Sequence, residues 1–111
     1  MQLESKKLLR DVLQALDLLS QFAKGKTFPE FESDAMLRAA VERQFEIIGE
    51  ALKKLADRDP ESAEQIPEFR RIISFRNVLI HGYADVDIHV VWEALTTRVA
   101  PLRGAVRSLL G

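Results

Sequence analysis

Cysteine is absent from the 111 residues of this chain, which excludes disulfides, thiolate nucleophiles and Cys-based zinc sites and suits a reducing compartment. Only 2 histidines occur, too few to build a transition-metal site by themselves, so no metal and no other cofactor is expected. With 5 glycines and 4 prolines, the chain carries little of the turn chemistry that all-β or disordered sequences use. No apolar run approaches the roughly 18 residues of a membrane span. The first residues, Met1 to Lys7, lead into an amphipathic pattern broken by Asp11 and Asp17, unlike the uninterrupted core of a signal peptide. Charge of one sign is also missing: 16 basic residues face 17 acidic ones, and a net charge of −1 gives no global field to draw the chain to nucleic acid. These absences predict a soluble, cytoplasmic protein without a membrane partner, in which any contact with RNA is local.

What is present is helical. Hydrophobic residues make up 47% and charged residues 30% of the chain, enough for a modest core and a single domain over residues 1–111. Leu9, Val12, Leu16, Leu19 and Ala23 recur at three and four residues, which predicts a first helix over 3–24 closed by Gly25. Gly25 to Pro29 then reads as a connection, with a short helical turn opened by Pro29 and with Phe28 and Phe31 plugging the bundle end. A second long helix is capped by Ser33 or Asp34 and carries Leu37, Val41, Phe45, Ile48, Leu52 and Leu55 on its stripe. Glu42, Arg43, Glu46 and Glu50 fall off that stripe; they read as a solvated face with pairs such as Glu50 with Lys54, or else Arg43, Glu46 or Glu50 supports a site on the neighbouring helix.

Asp59-Pro60-Glu61-Ser62 predicts a further helical turn, and Pro67 the start of a third helix with Phe69, Ile72, Ile73, Leu79 and Ile80 on its apolar side. The last helix begins at Asp85 or Asp87 and keeps its spacing from Ile88 to Leu109, with Trp92 as a core anchor, His89 as an exposed polar position and a kink near Thr97 to Pro101. The fold expected is all-α: an antiparallel four-helix bundle with short extra helical turns, its fourth helix kinked near Pro101.

Functional chemistry concentrates in Arg76-Asn77-Val78-Leu79-Ile80-His81-Gly82-Tyr83. Arg76 is a permanent cation whose fork suits phosphate oxygens, and His81 is the side chain best able to exchange a proton near neutral pH, so the pair suggests phosphodiester work. On a straight helix, positions five apart point about 140° away from each other. The helix is therefore expected to end around His81, with Gly82 as a left-handed cap and His81 and Tyr83 on a turn.

Arg-x4-His-x-Tyr, followed by Ala84 to Ile88 and Val91-Trp92, resembles the HepT family of HEPN-domain proteins, as do Glu42 to Ala51 and the Gly25-to-Phe31 connection. The resemblance runs along nearly the whole chain. It implies a HEPN four-helix bundle and the toxin of a type VII toxin–antitoxin pair, partnered by a minimal nucleotidyltransferase antitoxin of the MntA kind. It implies a homodimer, in which two motifs face one cleft, and a metal-independent endoribonuclease with Arg76 and His81 as catalytic residues. Asn77, four residues before His81, is a polar neighbour able to orient it. The resemblance further implies that Tyr83 accepts AMP from the antitoxin, which switches the toxin off. The other reading is a non-catalytic module that binds a nucleotide or RNA and partners the nucleotidyltransferase without cutting.

Overall fold

The computed structural model describes residues 1–82 and 86–111. Its helices are α1 (Leu3–Ala23), α2 (Phe28–Ser33), α3 (Ala35–Arg58), α4 (Pro60–Glu64), α5 (Phe69–His81), α6 (Ile88–Glu93) and α7 (Val99–Leu110), with one π-helical turn, Ala94–Arg98, joining the last two. The chain is all-α, as its periodicity requires.

Each boundary has a local cause. Gly25 follows α1 at φ +72, a conformation that a side chain disfavours, and it turns the chain toward α2. Thr27 caps α2 with a reciprocal capping box: Glu30 N–H donates to Thr27 Oγ1 at 3.4 Å, and Glu30 Oε1 accepts from Thr27 N–H at 3.0 Å. The Thr27 N–H and the Thr27 hydroxyl, which also donates to Glu30 Oε1 at 3.0 Å, hold the Glu30 carboxyl below its usual range. Asp34 accepts from Leu37 N–H at 3.0 Å to open α3, and Asp87 accepts from His89 N–H at 2.9 Å to open α6.

The stripes meet as the spacing demands. α3 packs against α1 on one side and α5 on the other, and α1 packs against α7. The antiparallel course of α1 and α3 is fixed where Ser5 Oγ donates to Asp59 Oδ2 at 2.8 Å and Arg58 pairs with Glu4. Leu9, Val12, Leu16, Leu19, Val41, Ile48, Leu52, Leu55, Val91 and Val106 are fully enclosed. At one end Phe31 is completely buried against Trp92, ring centroids 5.3 Å apart, and half-buried Phe28 meets the same indole edge-on at 6.0 Å. The two phenylalanines do plug the bundle, and Trp92 does anchor it.

Three expectations change. Pro67 does not open α5; the helix starts at Phe69 behind Glu68, which takes the left-handed conformation at φ 56. Glu68 then holds Arg71 at 3.3 Å and Arg98 at 2.6 Å, tying the start of α5 to the π-helical turn. Second, the kink near Pro101 is a π-helical turn one step earlier. Widening Ala94–Arg98 lets the helix restart at Val99, so Pro101 falls in a first turn, where its missing N–H costs least. Thr97 and Thr96 hydroxyls bond back to the Glu93 and Trp92 carbonyls at 2.7 and 2.9 Å, satisfying acceptors at the entrance to the wide turn. Third, Ile80 is exposed, because α5 leaves part of its apolar surface uncovered.

Asp59 gives the fold a pH dependence. It caps α4, and its carboxylate accepts from the hydroxyls of Ser62 at 2.7 Å and Ser5 at 2.8 Å, which hold its pKa below the usual carboxylate range. A folded-state pKa below the unfolded one contributes stability above the unfolded value, and that contribution disappears as the pH falls through the folded value. Thermal melting temperature is therefore expected to fall as pH drops below about 4. Asp59→Asn should flatten that slope and lower the neutral-pH melting temperature; an unchanged acid profile would remove Asp59 from this role.

Candidate functional site

α3 and α5 position the Arg76 side chain between them. Arg76 is half-buried where α5 crosses Gly49 of α3, and a Cβ built on Gly49 would lie 2.2 Å from Arg76 Cβ and 2.7 Å from Cγ. The aliphatic stem thus occupies the space in which another residue at 49 would carry its side chain. Nε of Arg76 is enclosed without a hydrogen-bond partner among the described residues, while Nη1 donates to the exposed Asn77 Oδ1 at 3.1 Å. Asn77, expected to orient His81, takes its described hydrogen bond from the arginine instead.

Most other arginines have their charge matched: Arg43 with Glu46, Arg58 with Glu4, Arg70 with Glu64, Arg71 with Glu68, Arg98 with Glu68 and Glu93, Arg103 with Asp17. Among the described residues, no carboxylate stands within ion-pair range of Arg76. Arg70 and Arg71, which precede it on α5, are by contrast held by Glu64 and Glu68.

His81 is the last residue of α5 and is exposed. The helix continues through it, so His81 lies on the helix and not on the turn after it, and Arg76 and His81 of one chain leave α5 about 140° apart. Gly82 ends the helix, its N–H donating to Val78 O at 2.7 Å, but at φ −106 it is not a left-handed cap. A Cβ there would approach Val78 O to 2.9 Å, so close approach to a carbonyl explains the glycine. Tyr83 lies outside the described residues.

The charged residues of α3 pair locally. Glu50 pairs with Lys54 at 3.5 Å, as the i,i+4 spacing predicts, and Arg43 pairs with Glu46 at 3.4 Å. Glu42 lies seven residues before Gly49, hence on the same helix face; burial, then Glu46, push its carboxyl above the usual range, opposed by Arg38. His89 is exposed as expected but stacks on Phe28, centroids 4.7 Å apart, with Nδ1 3.2 Å from Asp87 Oδ1. Gly49 is the site-forming residue that sequence reasoning passed over. The available signal was a glycine inside an otherwise strong helix, which calls for a packing reason.

A family model described as Ribonuclease HepT-like matches residues 12–109. A protein named "Putative RNase" from Caldanaerobacter subterraneus subsp. tengcongensis is 33% identical over 102 residues, 92% of this chain and 90% of that protein. "Probable ribonuclease HepT" from Thermococcus cleftensis is 33% identical over 101 residues, 91% of each. A further "Putative RNase" from Methanocaldococcus jannaschii is 34% identical over 98 residues, 88% of this chain and 80% of that one. No solved structure matches. With the family model matching from within α1 to within α7 and relatives aligned over nearly their whole length, the chain belongs to the HepT-like ribonuclease family.

Proposed function

We propose that this chain is a metal-independent endoribonuclease and the toxin of a type VII pair, cutting RNA with Arg76 and His81 and silenced by AMP on Tyr83. The observation that supports this most is the state of Arg76, a guanidinium with a sealed Nε edge and no carboxylate partner among the described residues. Such a cation is ready for a phosphate. Membership of a ribonuclease family supplies the substrate class.

RNA brings its own nucleophile. The imidazole of a His81 takes the proton of a 2′-hydroxyl, the 2′-oxygen bonds to the adjacent phosphorus, and the bond from phosphorus to the 5′-oxygen breaks. A protonated imidazole gives the leaving 5′-oxygen its proton, and Arg76 steadies the charge on the non-bridging oxygens as the phosphorane forms. The products are a 2′,3′-cyclic phosphate and a free 5′-hydroxyl.

One chain offers this chemistry at an awkward angle, since Arg76 and His81 diverge along α5. A homodimer that brings two motifs to one cleft resolves the geometry. Exposed Val78 and Ile80 on α5 and Val90 on α6 support such a pairing, for they are apolar surface in need of cover on the elements that flank the motif. The same divergence supports the second reading for a monomer, a module that binds RNA or a nucleotide for a nucleotidyltransferase partner and does not cut.

The test combines metal dependence with assembly. Purified protein in excess EDTA is expected to cut a synthetic RNA at the rate seen with magnesium, to leave 2′,3′-cyclic phosphate ends and to sediment as a dimer or an assembly of dimers. Activity restored only by a divalent ion would sink the mechanism, and a fully active monomer would sink the composite cleft. Binding without cleavage would favour the module.

A further inference from the structure

We infer that Gly49 is the positioning residue of the site: the side chain it lacks lets α3 and α5 close on the stem of Arg76 and fixes where the guanidinium points. The inference rests on the reading of Arg76 as a catalytic cation. Three observations carry it.

The first is the cost of the residue. Gly49 is buried in the interior of α3 beside Ile48 and Leu52, where glycine is worse for the helix than any residue except proline. The second is the shape of the contact. A Cβ at 49 would meet Cβ, Cγ and Cδ of Arg76 at 2.2, 2.7 and 3.5 Å, so it would run along the stem from its root. Atoms that close to the backbone of α5 cannot swing aside as the tip of a side chain can; the helices themselves must part. Gly104, within α7, is the contrast, since nothing lies within 4 Å of a Cβ built there.

The third observation is the orphaned Nε. A donor of a permanent cation enclosed without a partner among the described residues is unfavourable, and it persists here because the seam holds the stem in place. With Nε sealed and Nη1 on the exposed Asn77, the guanidinium emerges from the seam by its Nη end. A methyl group at 49 pries the seam open and lets Arg76 take other directions. Displacing a charge-stabilising group by about 1 Å costs on the order of 100-fold in rate. Because the phosphorane carries more charge than the bound substrate, the loss should fall on kcat more than on KM.

The experiment uses the full chain and has a readout independent of cleavage. In the wild type, the Arg76 Nε–H is expected to exchange with water more slowly than the Nε–H groups of exposed arginines, by nitrogen-15 NMR. Gly49→Ala should abolish that protection and lower kcat about 100-fold with KM little changed. Gly104→Ala should do neither and should raise the melting temperature. In an Arg76→Gly background, which removes the facing Cβ, adding Gly49→Ala should leave the residual rate unchanged, since Gly49 acts only through the arginine. Wild-type kcat in Gly49→Ala, an unprotected Nε–H in the wild type, or a further loss in the double variant would each overturn the inference. If Arg76→Ala cleaves normally, the catalytic reading of Arg76 fails while the exchange measurement still decides whether Gly49 seats it. Should Gly49→Ala not fold, combining it with Arg76→Gly removes the facing Cβ; folding must then return, and its failure to return places the fault elsewhere.

Discussion

Arg76→Ala and His81→Ala are each expected to lose nearly all RNA cleavage without losing the fold. Neither residue belongs to the core: His81 is exposed, and Arg76, though its Nε is enclosed, is only half-buried. Removing a positioned acid–base group costs about 10²–10⁴-fold, and removing one preorganised donor to a developing charge costs about 10²–10³-fold. Removing both should cost little more than removing the worse of the two, because they act on one transition state. Arg76→Lys should fall between, keeping a charge but not the planar fork that spans two phosphate oxygens. Single-turnover cleavage of a labelled RNA measures these losses, circular dichroism checks the fold, and growth arrest on expression without a partner gives the cellular counterpart. An Arg76→Ala or His81→Ala protein that cuts at more than about a tenth of the wild-type rate would be inconsistent with these roles.

The bundle was legible because its stripes are redundant. Leu9 to Leu19 in α1 and Val41 to Leu55 in α3 each repeat the three-four spacing over several turns, so burial of one position reinforces the next. Capping was legible too: Asp34, Asp59 and Asp87 each hold the backbone N–H that their sequence context offers. What sequence spacing could not resolve was how a helix accommodates a local conflict. Pro101 within a continuous stripe predicts a kink, but the chain can answer with a bend, a break or a wider turn. The π-helical turn at Ala94–Arg98 was decided by tertiary anchoring, with Leu95 and Val99 in the core and Arg98 bound to Glu68. The start of α5 turned on the same kind of detail, since Pro67 is a good first helical residue, yet Glu68 takes a left-handed conformation behind it.

At the candidate site, residue type singles out chemical groups but not their surroundings. Arg76 and His81 stand out by residue type, and their spacing already implies that one undistorted helix sends them apart. No periodicity indicates that Arg76 lies against Gly49, because that contact pairs two helices whose register is set by packing across the whole interface. Nor does spacing decide whether Asn77 serves its neighbour Arg76 or the residue a turn later; both lie within reach of a short amide, and the structure gives it to the arginine.

Tyr83→Phe is expected to separate cutting from control. In the proposed mechanism His81 is the proton carrier and Arg76 the cation; a phenol with an ordinary pKa near 10 adds little to either task at neutral pH. Acceptance of AMP needs a hydroxyl: the phenolic oxygen attacks the α-phosphorus of ATP, pyrophosphate leaves, and the phenolic proton is released. The new phosphodiester brings negative charge and a bulky nucleoside two residues from His81, opposite in sign to Arg76 and large enough to cover a cleft built from both. The phenylalanine variant keeps the ring and loses only the hydroxyl. It should cleave RNA at the wild-type rate, gain no mass on incubation with the partner nucleotidyltransferase and ATP, and continue to arrest growth when that enzyme is co-expressed. Wild-type protein under the same conditions should gain whole AMP units and lose its activity in proportion. Equal modification of Tyr83→Phe and wild type would move the acceptor elsewhere on the chain, whereas loss of cleavage in the unmodified variant would make the hydroxyl part of the cutting machinery and end the separation of roles.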